Sequence, residues 1–210
     1  DFRWEPSKAA VYSEFWKRHG FQRAGYYSSR AYRNGHELLE LTRNGHERAR
    51  NLGYTTRPFQ MRTRPAEELA LIEGITRQAF RSSFLIEPIQ TGIYNELYVK
   101  PFLALAGKYC LFIVDPDGKE VGYGFTFEDK GHLIWKTLAV IPSEHGKGLS
   151  NFFMHASAEQ GLDDGIKYVV AALVKEEGAS DFTVKKFAPI LAWIHEYEVF
   201  SLALKDTAFP

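Results

Sequence analysis

The chain has one cysteine, Cys110, in 210 residues, so it can form no disulfide of its own. Its place in a strand-like apolar run reads as a buried core thiol, poorly placed to carry an acyl group. No apolar stretch approaches the roughly 20 residues that a membrane-spanning helix needs, and no signal-peptide pattern opens the sequence. Neither sign of charge prevails, since 26 Lys and Arg balance 26 Asp and Glu. Such a balance exerts no pull toward nucleic acid or an anionic membrane, and neither is expected as a partner. Metal-ligand spacing is also missing. The phrases Gly35-His36-Glu37 and Gly45-His46-Glu47 repeat, but His-Glu alone is not a zinc motif, and a solvated loop is the expected state of both. The expectation is a cytoplasmic protein that holds no metal.

Apolar residues make up 45% of the chain and aromatic residues 15%, enough for one good core. The most informative stretch, Leu133 to Gly161, reads as strand, glycine-rich turn and helix. At its centre stand Ala139-Val140-Ile141-Pro142-Ser143-Glu144-His145-Gly146-Lys147-Gly148-Leu149-Ser150. A helix N-terminus leaves N–H groups unpaired and carries partial positive charge, so a turn leading straight into one can hold a phosphate. Glycine lets the backbone come close to the anion. Spacing excludes two phosphate loops. The dinucleotide fingerprint wants three spaced glycines early in a βαβ unit, and here only Gly146 and Gly148 occur, late in the chain. The nucleotide-triphosphate loop wants Gly-Lys followed by Ser or Thr, whereas Gly146-Lys147 is followed by Gly148.

Val140-x-Pro142-x-x-His145-Gly146-Lys147-Gly148-Leu149-Ser150 resembles the pyrophosphate loop of the GCN5-related N-acetyltransferases, the acyl-CoA-dependent transferases. That loop is written Arg/Gln-x-x-Gly-x-Gly/Ala. Gly148 matches its central glycine, while His145 replaces Arg or Gln and Ser150 replaces Gly or Ala. Histidine brings less positive charge than arginine at pH 7. The resemblance implies acetyl-CoA, or another acyl-CoA, as donor. It implies that the N–H groups of Gly146, Lys147, Gly148, Leu149 and Ser150 hold the pyrophosphate, with His145 beside them. Leu138, Ala139 and Val140 would pair with the pantetheine arm like an added strand. Ser180 falls near the family's pantetheine-contacting asparagine. Gly148→Trp is expected to block coenzyme A without unfolding the domain.

The resemblance runs from about Gly53 to Ala203. Tyr54 to Pro58 looks like an opening strand, and Leu69, Ile72, Ile75 and Ala79 give Ala66 to Phe80 a helical spacing. Ile93 to Leu105 reads as a second helix bent near Pro101. A hairpin follows, Tyr109 to Val114 and Val121 to Phe127 around Asp115-Pro116-Asp117-Gly118. After the strand Leu133 to Ile141 come a helix over Asn151 to Gly161, a strand over Lys167 to Val174, a short helix over Asp181 to Phe187 and a last strand over Glu196 to Leu204. This β-α-α-β-β-β-α-β-α-β order is the family's. It implies an α/β (α+β) fold with a central mixed, mostly antiparallel twisted sheet flanked by helices, over residues 51–210. Residues 1–50 have two readings. Ser13 to Phe21 and Tyr26 to Tyr32 resemble the aromatic helix, Gly-Phe turn and strand that end such a domain, as in the tail of a preceding domain of a tandem protein. Alternatively they are a helical extension packed on the sheet. Arg33 to Arg50 reads as a linker with a helical turn or two.

In this chemistry an amine must lose a proton before attacking the thioester. The strand Leu133 to Ile141 holds no Asp or Glu, unlike histone-type relatives. The nearest candidates are Glu128, Asp129 and His132, with Thr137 and Trp135 read as facing the cleft. Matching Lys185-Lys186-Phe187-Ala188 to the family's pattern puts Val184 where a tyrosine often protonates the leaving thiolate; Tyr197, in the last strand, does not simply transfer into that role, though its hydroxyl could reach the cleft. Each candidate has a plain structural role open to it: a solvated hairpin tip, strand packing, an anchored tyrosine. His195 is read as a structural histidine or a further candidate. Phe84, Tyr94, Tyr98 and Phe102 either line an acceptor pocket or fill the core. The expected function is acyl-CoA-dependent N-acyl transfer, acetyl first, to an amine of a small molecule or peptide, directly in a ternary complex. The alternatives are a non-catalytic acyl-CoA-binding or structural domain, and transfer to a thiol or carrier-protein arm. A preceding domain or a second copy of the chain is the expected protein partner.

Overall fold

The structure, a computed structural model, describes residues 2, 5–6, 10–81, 92–93 and 104–203. Seven strands form one sheet: β1 (Gln22–Arg33), β2 (Thr55–Pro58), β3 (Leu111–Val114), β4 (Glu120–Asp129), β5 (His132–Val140), β6 (Tyr168–Lys175) and β7 (Leu191–Ser201). Their order across the sheet is β2-β3-β4-β5-β6-β1-β7. Only β5 and β6 run parallel; every other neighbouring pair is antiparallel. Among the described residues five helices flank the sheet: α1 (Ala10–Arg18), α2 (His36–Asn51), α3 (Pro65–Ala79), α4 (Leu149–Asp163) and α5 (Ala179–Lys185). This is the mixed, mostly antiparallel α/β architecture expected from the sequence.

Turn chemistry sets the meander. The Asp115 carboxylate accepts the amides of Asp117 at 3.0 Å and Lys119 at 2.8 Å, closing the β3–β4 turn. Lys130 and Gly131 both have positive φ, 51° and 75°, the requirement of a tight two-residue turn between β4 and β5. Strand β6 reads Tyr-Val-Val-Ala-Ala-Leu-Val-Lys, and its middle is buried because helices cover both faces of the sheet.

Helix α3 covers one face with Leu69, Ile72 and Ile75, and the hydroxyls of Thr76 and Tyr123 are 2.8 Å apart. Glu68, fully buried on this helix, accepts from Arg57 at 2.9 and 3.2 Å and from the Gln60 amide at 3.0 Å. A buried carboxylate needs such partners. Helix α4 covers the opposite face, where Trp135 Nε1 donates to Ser157 Oγ at 2.9 Å. Gly124 makes room for it, since a Cβ there would lie 1.8 Å from the Phe153 ring.

Helix α4 buries residues on most of its sides, His155 and Ser157 among them, and α2 explains why. Leu38, Thr42 and Ala49 of α2 pack onto the outer side of α4. Thr42 Oγ1 meets His155 Nδ1 at 2.9 Å, and His46 stacks on His155 with ring centroids 4.1 Å apart. The layers are therefore α3, the sheet, α4 with α5, and α2.

Several expectations change. Arg33 to Arg50 is not a linker with a helical turn or two: Arg33 ends β1, His36–Asn51 is a sixteen-residue helix, and both His-Glu pairs lie on it rather than in solvated loops. Its contact stripe uses small residues, which allow close helix approach but show little hydrophobic periodicity. Strand β1 is no appendage to a sheet over residues 51–210: it pairs with β6 on one side and β7 on the other. Cys110 lies just before β3 rather than within it, fully buried, with Sγ donating to the Thr126 carbonyl at 3.0 Å. Burial pushes its thiol up to about 12. The expected helix over 93–105 lies mostly outside the described residues, as do Phe84, Tyr94, Tyr98 and Phe102. Among the described residues no helix is long and apolar enough to cross a membrane.

Candidate functional site

Strands β5 and β6 pair only from His132–Tyr168 to Trp135–Ala171. Strand β5 continues to Val140 and β6 to Lys175, with no ladder joining them there among the described residues. Two irregularities open this gap. A bulge places Lys136 between Trp135, opposite Thr126, and Thr137, opposite Phe125. On β6, Leu173 takes a left-handed φ of 54°, and its amide donates to Ser29 Oγ on β1 at 3.1 Å. One edge of Thr137, Leu138, Ala139 and Val140 thus faces a gap instead of a strand.

The glycine turn lies at the open end of that gap. Pro142–Glu144 forms a single 3₁₀ turn, and α4 starts at Leu149. Gly146 and Gly148 have φ of 79° and 87°, left-handed values that glycine accepts without strain. Among the described residues, the amides from Gly146 to Ser150 have no hydrogen-bond acceptor. His145 and Gly146 are exposed, and Ser150 is half-buried. These amides and the positive end of the α4 dipole suit an anion.

The charged side chains of the turn are engaged elsewhere. Lys147 Nζ donates to Tyr54 Oη and to Glu144 Oε2, each at 2.9 Å, and Tyr54 also donates to Glu144. The Tyr54 hydroxyl, followed by Lys147, holds the Glu144 carboxyl below its ordinary value. His145 Nε2 lies 3.1 Å from the Val140 carbonyl. A second cation, to which no sequence signal pointed, contacts the start of the helix. Lys186 Nζ donates to Asn151 Oδ1 in the first turn of α4, and burial pulls its pKa down to about 8. Burial also lowers that of Lys136 at the bulge.

Gly148 has a second reason to be glycine. A Cβ there would lie 2.7 Å from the Gly45 carbonyl oxygen and 3.1 Å from Gly45 Cα, in the middle of α2. Gly148→Trp would therefore push α2 off α4, and the expectation of a folded, merely blocked variant is withdrawn. At Gly146 a Cβ would meet nothing within 4 Å.

The acceptor-side candidates scatter. Thr137 sits beside the gap, half-buried, but Trp135 faces α4 because the bulge reverses their sides. Glu128 and His132 belong to the β4–β5 hairpin end, about 26 Å along β5 from Val140 at strand rise. Ser180 is exposed at the start of α5, and Val184 is a core residue. Tyr197 donates to the Glu5 carboxylate; burial and that bond push its hydroxyl up. The sequence gives no hint of Glu5, which meets β7 only through the fold. His132 and His195 both line one 330 Å³ cleft, with Phe2, Asp129, Lys130, Ile134, Val170 and Trp193, though on strands three apart in the sheet. Among the described residues no group of three or more His, Cys, Asp and Glu could hold a metal ion.

No family model and no curated protein match the sequence. Solved structures do match in shape. A GCN5-related N-acetyltransferase from Sphaerobacter thermophilus is 14% identical with a TM-score of 0.62, over 92% of this chain and 55% of that one. A GCN5-related glucosamine N-acetyltransferase region of a fungal multi-domain β-N-acetylglucosaminidase is 7% identical with a TM-score of 0.58, over 92% of this chain and 23% of that one. A tandem GNAT protein from the clavulanic acid biosynthesis pathway is 13% identical with a TM-score of 0.56, over 93% of this chain and 61% of that one. The chain thus spans about half the length of the Sphaerobacter protein. It has the GCN5-related N-acetyltransferase fold.

Proposed function

We propose that this chain is an acyl-CoA-dependent N-acyltransferase that moves an acetyl group directly from acetyl-CoA to an amine of a small molecule or peptide. The observation that carries this reading is the open edge of β5 ending at a turn of unpaired amides on the N-terminus of α4. A linear donor with a diphosphate at one end and amide groups along its arm suits both features. The amides of Gly146 to Ser150 take the diphosphate, and the edge over Leu138 to Val140 pairs with the arm. Asn151-bound Lys186 supplies the nearby positive charge, because Lys147 is held by Glu144 and Tyr54. The buried Cys110 thiol supports direct transfer, since a thiol raised to about 12 makes a poor nucleophile. Residues 10–203 are read as one transferase unit, β1 included.

Calorimetric titration with acetyl-CoA and with coenzyme A tests the reading, using wild type and Ser150→Glu. A carboxylate in the first turn suits the helix dipole, so the variant should stay folded while repelling the diphosphate. Micromolar binding by wild type, weakened at least about tenfold in the variant, is expected. Absence of binding at millimolar acetyl-CoA would sink the proposal. It would favour a structural domain, the reading to which Val184 in place of a tyrosine points.

A further inference from the structure

Two histidines meet where α2 crosses the outer side of α4, and the transferase reading leaves both without a role. His46 of α2 stacks on His155 of α4 with centroids 4.1 Å apart, and it also tilts against the Phe152 ring at 5.3 Å. The Thr42 hydroxyl donates to the Leu38 carbonyl at 3.0 Å and so accepts from His155 Nδ1 at 2.9 Å. His46 Nδ1 is buried and has no hydrogen-bond partner among the described residues. In a doubly protonated ring both nitrogens are donors. A charged His46 would therefore hold a buried donor without an acceptor, against a second imidazole. Burial, above all, holds both rings below the ordinary histidine value. The charged groups facing the pair are Glu40, Arg43 and Arg50 of α2 and Glu159 of α4. Two acids against two bases give no net charge to welcome an imidazolium.

The same crossing supports the glycine turn. Gly45, next to His46, lies so close to α4 that a Cβ on it would be 2.5 Å from Asn151 Cβ. A Cβ on Gly148 would in turn be 2.7 Å from the Gly45 carbonyl oxygen. Gly148 is the N-cap of α4, and Asn151 is the residue that takes the Lys186 ammonium. One short piece of α2, Gly45-His46, thus rests on the backbone of the turn and on the residue that holds its nearby cation. Packing this close transmits a displacement instead of absorbing it.

We propose that the stacked histidines are a pH-sensitive clamp on the glycine turn: uncharged they hold α2 against the first turn of α4, and a proton on His46 loosens that contact and weakens anion binding. The inference rests on the transferase reading only for the identity of the anion. In the clamped state His46 resists protonation. In a loosened state water reaches the ring, and its value returns toward the ordinary one of about 6.5. As pH falls below about 6.5, the loosened state takes up protons that the clamped state refuses, and the balance moves toward it. Above that value neither state holds the proton, and the clamp is at full strength. By reciprocity, an anion that binds the clamped state makes His46 still harder to protonate. His145 acts in the opposite direction, because a proton gained beside the same amides strengthens anion binding as pH falls. The sign of the pH dependence separates the two.

The test uses the full chain and dephospho-coenzyme A, whose diphosphate keeps its charge across the range. In the first arm no ligand is present, and ¹⁵N-labelled protein is taken from about pH 7.5 to about pH 5.5. The Gly45 and Asn151 amide resonances are expected to move on the same curve as the His46 ring. In His46→Phe, which keeps a flat ring on His155 but cannot charge, they should stay in place. In the second arm calorimetry follows the ligand over the same range. Wild type should lose at least about fivefold in affinity, and His46→Phe less than about twofold. Equal losses in the two proteins overturn the proposal, as does a wild-type affinity that holds steady or rises as pH falls. Should His46→Phe fail to fold, the wild-type resonances and the sign of its pH dependence decide. A wild type that binds no dephospho-coenzyme A at any pH strikes the transferase reading, while the first arm still decides this inference. Binding without movement of Gly45 and Asn151 strikes this inference alone.

Discussion

The glycine turn and the His195 cleft stand on opposite faces of the same sheet and are built in opposite ways. The turn is a single run of chain, strand into loop into helix, and its amides point where they do because residues 141–149 turn as they must. The cleft draws on Phe2, the β4–β5 hairpin, β6 and β7, and its carboxylate comes from Glu5, 190 residues from the histidine that it holds. A local site survives in sequence as a phrase. An assembled one exists only after folding.

Several experiments bear on that contrast, and removing β1 has the largest effect. A chain starting at His36 keeps every residue of the glycine turn, yet leaves β6 and β7 without the strand between them. Loss of cooperative unfolding in circular dichroism is the expected result. A folded product would mean that the turn needs only its own segment.

Gly148→Ala comes next. Its Cβ meets a helix backbone that cannot swing aside, and its φ is left-handed, so a loss of about 2–4 kcal/mol in urea unfolding is expected. Gly146→Ala carries only the backbone strain, about 1 kcal/mol. Equal losses would show that α2 does not bear on the turn.

Asp181 gives a smaller effect that depends on pH. Burial on α5 alone would raise its carboxyl pKa, but Lys185, the Glu177 amide and Arg30 outweigh this and hold it low. Arg30 lies 2.8 Å away on β1, so the pair ties that strand to α5. A carboxyl lowered in the folded state contributes stability above its unfolded value near about 4, and that contribution is lost as pH falls through the folded value. The advantage of wild type over Asp181→Asn in thermal melts should therefore be full at neutral pH and shrink below about pH 4. A constant difference across that range would refute the linkage. The smallest change is expected of Lys147→Met, less than about threefold in coenzyme A affinity, because Tyr54 and Glu144 already hold that ammonium. A large loss would return Lys147 to the phosphate.

The fold was legible where periodicity is strong. Leu69, Ile72 and Ile75 announce α3, and Asp115 to Gly118 announce a hairpin. Helix α2 was not legible, because it packs through Thr42, Gly45 and Ala49, residues too small or polar to mark an apolar stripe. In the site, two glycines before a helix marked the turn, but nothing local shows that Tyr54 and Glu144 hold the Lys147 ammonium. Trp135 and Thr137 looked like neighbours on one face because a single bulged residue, Lys136, leaves no trace in composition. Strand pairing between Ser29 and His195 is likewise beyond any local signal.

The place of β1 also sets a timetable. Among the described strands it is made before the others, yet its partners on both sides, Tyr168–Lys175 and Leu191–Ser201, are made after the rest. Its backbone amides must wait through the synthesis of most of the chain before the sheet can close around them. Such long-range closure is slow and leaves unpaired edges exposed meanwhile. The nascent sheet should thus lean on chaperones longest at β1, β6 and β7, while the segment carrying the glycine turn is already taking shape between them.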